Sequence, residues 1–230
     1  MSQVIISSAT RLPAEKFWQE SALGQSLRRL SFDDRLRASV AFENTQGLPT
    51  IYNRLIQEAP AGSLLVFVHD DVWLEDFFFP QRIAEGLQVF DAIGVAGNRR
   101  RVRNQPAWCF VNDRFIWDER SHLSGSVAHG AAPFGPVTCF GPAPAECELL
   151  DGVLLAAKRD VLVENGVTFD ERFSFHFYDL DFCRSLRAKE LRLGTWPIAL
   201  THQSGGSFGS PAWRAGREAY LRKWEAIVPS

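Results

Sequence analysis

The chain has 230 residues, of which 46% are apolar and 23% charged, with a formal net charge of −2. This is the balance of an ordinary soluble globular protein; it gives no drive toward nucleic acid or anionic membrane, and the length suits one α/β domain with a full core. No run reaches the roughly 18 apolar residues of a spanning helix, and MSQVIISSATR lacks the basic and apolar regions of a secretory signal, so a cytoplasmic location is expected.

Three short apolar runs, Val4–Ile6, Leu64–Val68 and Ile93–Ala96, read as buried strands because each is β-branched and bounded by polar or glycine signals. Ala38–Phe42 is a further candidate. Pro13 can open a helix that turns Phe17, Leu23, Leu27 and Leu30 inward. Pro49 sits well at the first position of another, running through Ile51, Leu55 and Ile56 to Pro60. Strand, helix, strand, helix, strand in that order predicts a parallel sheet covered on both faces.

From about Asn98 to Leu149 periodicity weakens, and AHGAAPFGPVTCFGPAPAE reads as a long surface excursion of the kind that forms lids or binding loops. Within it the basic cluster Arg99 to Arg103 fits a solvated loop better than a phosphate or lipid-linked acceptor site, although peripheral membrane contact stays open. Regular structure resumes in DGVLLAAKRDVLVENG as a strand or short helix followed by a helix. DLDFCRSLRAKEL is an amphipathic helix with Phe182, Cys183 and Leu186 inward. Trp196–Leu200 is expected as a short strand, with Pro197 favouring an edge, and PAWRAGREAYLRKW as a closing helix. The cysteines Cys109, Cys139, Cys147 and Cys183 form no C-x-x-C pair and are too sparse for a disulfide framework. With His122 and His129 they match no common zinc spacing.

Three segments carry chemistry. In SLLVFVHDDVWLEDFF a wholly apolar strand ends in His69, Asp70 and Asp71, where the carboxyl ends of parallel strands line a ligand crevice. Carboxylates there suit a hard divalent cation, Mn²⁺ or Mg²⁺, gripping a diphosphate. They also suit a polar turn with an Asp capping the next helix. In FDERFSFHFYDLDFCRSLR, Asp179 and Asp181 stand near a helix N-terminus that favours negative charge. The surrounding Phe173, Phe175, His176, Phe177 and Tyr178 can pack the core or wall a carboxylate from water and raise its pKa. In THQSGGSFGSPAW, His202 follows an apolar strand, and Gly205, Gly206 and Gly209 would let a loop order over a ligand. A neutral imidazole there suits Mn²⁺ better than Mg²⁺.

In this order and at these spacings, residues 3 to about 205 resemble the GT-A-fold inverting glycosyltransferases, typified by polysaccharide and rhamnosyl transferases. HDDV-W and FHFYDLDFC look like a small bacterial branch. The resemblance implies one Rossmann-related α/β domain with a mostly parallel central sheet flanked by helices. Residues 1–97 would form the nucleotide-sugar-binding half, 98–149 a variable loop region, and 150–230 the acceptor-binding and catalytic half. VIISSATR stands where the first strand and donor turn occur, which brings in Ser8 and Thr10. ASVAFEN looks like the second strand, with Glu43 and Asn44 toward base or ribose, and the passage from Gly47 to Val72 includes Asn53. His69–Asp70–Asp71 occupies the D-x-D position, with His69 replacing the first Asp. The resemblance then gives metal to Asp71, His202 and His69, and ribose or donor sugar to Asp70. Tyr178–Asp179 occupies the place of the family's Glu-Asp pair, so Asp179 becomes the base. Asp151, Gly152, Trp108 and Tyr178 are left to the sugar or acceptor. The implied partners are a nucleotide-diphosphate sugar and a hydroxyl-bearing acceptor. The departures at His69 and Tyr178 also fit a non-catalytic nucleotide-sugar-binding protein of the same fold. A nucleotidyltransferase fits less well, because SSATR has no glycines for a phosphate loop.

Overall fold

The five residues of Leu64–Val68 are all buried. At about 1.5–3 kcal/mol for each large apolar side chain removed from water, this run anchors the sheet around which the chain is wound. In the computed structural model, which describes residues 2–206 and 208–225, it is preceded by β1 (Val4–Ala9), α1 (Ala14–Glu20), α2 (Ala22–Arg29), β2 (Leu36–Ala41) and α3 (Leu48–Glu58), and is itself β3. The helix expected from Pro13 is thus broken in two. Ser21 is extended, donates to the Phe17 carbonyl (2.7 Å) and accepts from the Gly24 N–H (2.9 Å), so one residue ends α1 and caps α2. A Cβ on Gly24 would lie 2.1 Å from the Phe17 oxygen, which explains the glycine.

Beyond β3 come β4 (Val72–Leu74), α4 (Phe79–Val89), β5 (Ala92–Gly94) and β6 (Ala96–Asn98). The chain continues through β7 (Leu123–His129), β8 (Val137–Gly141), β9 (Ala145–Cys147), β10 (Leu149–Leu150), β11 (Leu154–Lys158) and α5 (Arg159–Glu164). It closes with α6 (Tyr178–Arg187), β12 (Leu193–Thr195), β13 (Leu200–His202) and α7 (Pro211–Trp224). One sheet has the order β2-β1-β3-β11-β5-β12-β9, the other β10-β6-β7-β13-β4 with β8 on β7.

The larger sheet is mostly parallel, as expected, but not purely so: β2, β1, β3, β5 and β12 share one direction while β11 and β9 run against them, and the second sheet is mixed. β2, β1 and β3 are mutually parallel, as their helical crossovers require. β11 runs antiparallel between β3 and β5, because it enters from the far rim after a long excursion. The run Ile93–Ala96 is two strands, since the chain leaves one sheet at Gly94 and joins the other at Ala96. Residues 98–149 are no plain loop either, for they supply β7, β8 and β9. Trp196–Ala199 is a connection. β13 lies inside the second sheet between β7 and β4, and Pro197 precedes it where no ladder bond is lost.

Half of the basic cluster is engaged in structure, while Arg99 and Arg103 are exposed. Arg100 pairs with the buried Asp118, which also accepts from Asn98 (2.9 Å), and Arg101 meets Glu225 at 2.9 Å. α7 is clamped to α6 by charge. Lys223 Nζ lies 2.7 Å from the fully buried Asp181 and 2.8 Å from Asp170, and the Trp224 indole donates to Asp181 (2.6 Å). Asp181 therefore has a structural role. Among the described residues no helix is long and apolar enough to cross a membrane.

Candidate active site

Antiparallel register brings the first two motifs together. Leu154 of β11 pairs with Val68 of β3, so Asp151–Val153 lie beside the residues that follow β3, and the His69 N–H reaches toward the Val153 carbonyl (3.4 Å). β13 pairs β4 with His202 opposite Val72, which sets His202 beside Asp71, and the Gln203 N–H donates to the Asp71 carbonyl (3.0 Å). α6 delivers the third motif. Its N-cap, Phe177, is left-handed (φ 68°), a sharp reversal that points the first turn, Tyr178 and Asp179, back at Gly152.

Two contacts fix this corner. The Gly152 N–H donates to Asp179 Oδ2 (3.1 Å), and Tyr178 donates its hydroxyl to the Gly152 carbonyl (2.9 Å). A Cβ on Gly152 would stand 2.5 Å from the Tyr178 oxygen and 3.0 Å from Asp179 Cβ, so only glycine allows the approach. Tyr178 has one hydroxyl proton, already given to Gly152. The His69 Nε2 atom 2.9 Å away must therefore be the donor, leaving His69 Nδ1 unprotonated. Next to Gly152, Asp151 accepts from the Trp108 indole (2.7 Å) and from the Val153 N–H (2.9 Å).

Burial pushes the Asp179 carboxyl up to about 7, and the charge of Asp151 adds to the rise. Asp71 moves the other way. Burial would raise it, but hydrogen bonding and charge from His202, with help from Ser204 and His69, bring it down to about 2. Burial, partly offset by the charge of Asp71, lowers His69. Asp179, which lines the cavity, is thus readily protonated, while Asp71, beside His69 and His202 but outside the cavity lining, is held ionised.

One ligand atom each from His69, Asp71 and His202 falls within 4.8 Å of the others, the one such metal-ligating group among the described residues. Asp71 Oδ1 is buried, and its contact with His202 Nε2 is long for a hydrogen bond at 3.3 Å, so an ionised oxygen there is well placed to take a cation. An unprotonated imidazole nitrogen, a second imidazole and this carboxylate oxygen suit Mn²⁺ well and Mg²⁺ less well.

A cavity of about 660 Å³ is lined by His69, Trp108, Asp151, Gly152, Tyr178, Asp179 and His202, together with aromatic residues. A second pocket of about 320 Å³ is lined by Thr10, Asn44 and Asp70, and Phe175 borders both. Three expected donor contacts are not placed there. Ser8 is fully buried within β1, its hydroxyl without a partner. Asn53 is buried and donates to the Phe169 carbonyl (2.8 Å), accepts from the Phe169 N–H (2.8 Å) and reaches Glu171 (3.2 Å), so it braces the loop ahead of α6. Glu43 is exposed in a left-handed turn outside the lining.

Sequence reading missed His129, which lines the large cavity with its ring 6.3 Å from that of His202. Its signal is register, because β13 pairs β7 with His202 opposite His129, and no motif shows that.

The model of the "Glycosyltransferase like family" matches residues 20–203. The chain belongs to this family. Comparison with curated proteins finds no match for the glycosyltransferase-like chain. Among solved structures it is similar to that of GalNAc-T7 with UDP, GalNAc and Mn²⁺, at 12% identity and a TM-score of 0.56, covering 99% of this chain and 49% of that one. It is also similar to Staphylococcus aureus TarS 1-349, at 13% identity and a TM-score of 0.47, covering 87% of this chain and 60% of that one. The chain thus spans about half the length of the first and three fifths of the second. The fold is that of the GT-A glycosyltransferases, with mixed sheets flanked by helices.

Proposed function

We propose that this member of the glycosyltransferase-like family is a metal-dependent inverting transferase that moves a sugar from a nucleotide-diphosphate donor to an acceptor hydroxyl. The observation that carries it is convergence. His69 and His202, with Asp71 beside them, share a crevice with Asp179, whose pKa suits proton abstraction near neutrality. The neighbour solved with UDP and Mn²⁺ supports the same donor class.

On this reading the nucleoside occupies the smaller pocket at Thr10, Asn44 and Asp70, and the sugar passes Phe175 into the larger cavity. His69, Asp71 and His202 would hold Mn²⁺ or Mg²⁺, which when bound supplies Lewis-acid neutralisation of the diphosphate. The Gly152 N–H fixes Asp179 Oδ2, leaving the other oxygen to take the proton as the acceptor oxygen bonds to the anomeric carbon and the bond to the diphosphate breaks. Asp151, with a lone pair left on each oxygen, orients a sugar hydroxyl.

The test is a thermal-shift panel of UDP, GDP, ADP and dTDP with and without Mn²⁺. A diphosphate at a hundred times its Kd adds about 2.7 kcal/mol of stability. No shift with any member defeats the donor assignment. Binding without release of nucleotide diphosphate from any donor–acceptor pair reduces the chain to a nucleotide-sugar binder.

A further inference from the structure

The large cavity has two unlike walls. One is the polar corner at Asp151, Asp179 and the histidines; the other, built largely by residues 106–140 and closed from the side of α7, is aromatic. Trp117 lies nearly parallel to Phe140 (15°, centroids 5.9 Å) and still leaves about half of its surface open, so ring area remains for a ligand to cover. Trp108 and Phe110 meet Trp117 edge-on at 6.3 and 5.2 Å, and Phe208 meets Phe110 at 5.2 Å. Trp117 and Phe208 are 52% and 43% exposed while lining the cavity, apolar area held in water that a ligand would cover.

Several of the hydrogen-bonding groups on this wall are already engaged, while the Thr138 hydroxyl and the Trp117 indole N–H keep their capacity at its margin. The Trp108 carbonyl accepts from Asn98 and Gln105 (both 3.0 Å), the Cys109 carbonyl from the Asp118 N–H (2.8 Å), and the Trp108 indole is given to Asp151. A saccharide seated flat on the aromatic rings would turn hydroxyls toward ring faces that offer no hydrogen bond, at about 1–3 kcal/mol for each one left unpaired. A flat apolar ring would lose little.

We infer that the acceptor, within the donor reading above on which this rests, is a hydroxyl borne on an aromatic ring system, whose body stacks on Trp117 while its oxygen faces Asp179. The acceptor oxygen forms the new bond to the anomeric carbon, its proton passes to Asp179, and nucleotide diphosphate departs. A phenolic proton, near pKa 10, is also a closer match to a base poised near 7 than an aliphatic alcohol is.

Calorimetric titration of the full chain tests this, using 2-naphthol, n-decanol and methyl α-glucoside, with nucleotide diphosphate and Mn²⁺ titrated separately. The expected result is saturable 2-naphthol binding, weakened about ten-fold in Trp117→Ala, as loss of one aromatic partner gives. Phe208→Ala is expected to weaken it as well, and neither variant to change nucleotide affinity. With nucleotide binding intact, absent 2-naphthol binding, tighter binding of n-decanol or the glucoside, or indifference to both substitutions overturns the acceptor class alone. Binding of 2-naphthol with no nucleotide binding by any diphosphate overturns both readings.

Discussion

Asp179→Asn separates the electrostatic state of the site from its chemistry. The carboxyl titrates near 3.8 when exposed and near 7 in the folded protein, a displacement of about three pH units. At 1.36 kcal/mol per unit, ionised Asp179 costs the fold about 4 kcal/mol above pH 7. The sign follows from linkage. Below pH 3.8 both states are protonated and nothing is lost; from there to pH 7 the unfolded chain ionises first, so stability falls with rising pH. A carboxamide has the same shape and no charge, but accepts more weakly from the Gly152 N–H, a loss of about 1 kcal/mol. Asp179→Asn should therefore stabilise the protein by about 3 kcal/mol at pH 8 and by less than about 1 kcal/mol at pH 5. For a chain of this size the pH 8 gain raises Tm by roughly 6–12 °C. Thermal unfolding of both proteins at the two pH values, without ligand, measures it. Equal Tm differences at pH 5 and pH 8 would refute the claim that this carboxylate is destabilised, and with it the basis for its being the base. In the wild type, transfer should rise with pH through about 7, and in the variant it should vanish while nucleotide binding persists.

Tyr178→Phe removes the oxygen that fixes the His69 ring, so Mn²⁺-dependent nucleotide affinity should fall about 10–100-fold with little change in the absence of metal, as paired titrations will show. Gly152→Ala forces a methyl against Tyr178 and Asp179; we expect kcat to fall about 100-fold with nucleotide Kd nearly unchanged. Lys223→Met leaves the buried Asp181 without its cation and should cost about 3–5 kcal/mol, read by urea denaturation at pH 7. An unchanged denaturation midpoint would mean the α6–α7 clamp carries no net stability.

What could be read in the sequence depended on how local its cause was. β1, β3 and α3 are announced by unbroken apolar runs and by Pro49, signals contained within a few residues. The mixed strand directions were not legible, because β11 is antiparallel through its pairing with β3 from some ninety residues earlier, and Leu154–Lys158 looks the same in either direction. β7 and β8 were hidden for a similar reason. LSGSVAH and VTCFG are poor strands alone and are held by partners on both sides or by each other. α4 escaped because its start, Phe77-Phe78-Phe79, reads as an undivided apolar run. In the candidate site, His69, Asp71, Asp179 and His202 could be named from strand-end and helix-start positions, whereas their meeting through Gly152 and β13 is tertiary. Asn53 lies outside both cavity linings because its side chain turns to the loop at Phe169, a tertiary contact that its helix does not announce.

The placement of β11 at the middle of the first sheet also bears on how the chain must be made. When β6 ends at Asn98, β3 and β5 are already synthesised, yet the strand that joins them ends about sixty residues later, at Lys158. At about 5–20 residues per second the ribosome needs roughly 3–12 s to deliver it, and for that interval two apolar edges lie open to any passing strand. Nascent chains stalled in that window should be captured by chaperones and aggregate more than those stalled past Lys158, in which β11 has covered the β3 edge and only the edges awaiting β12 and β13 stay open.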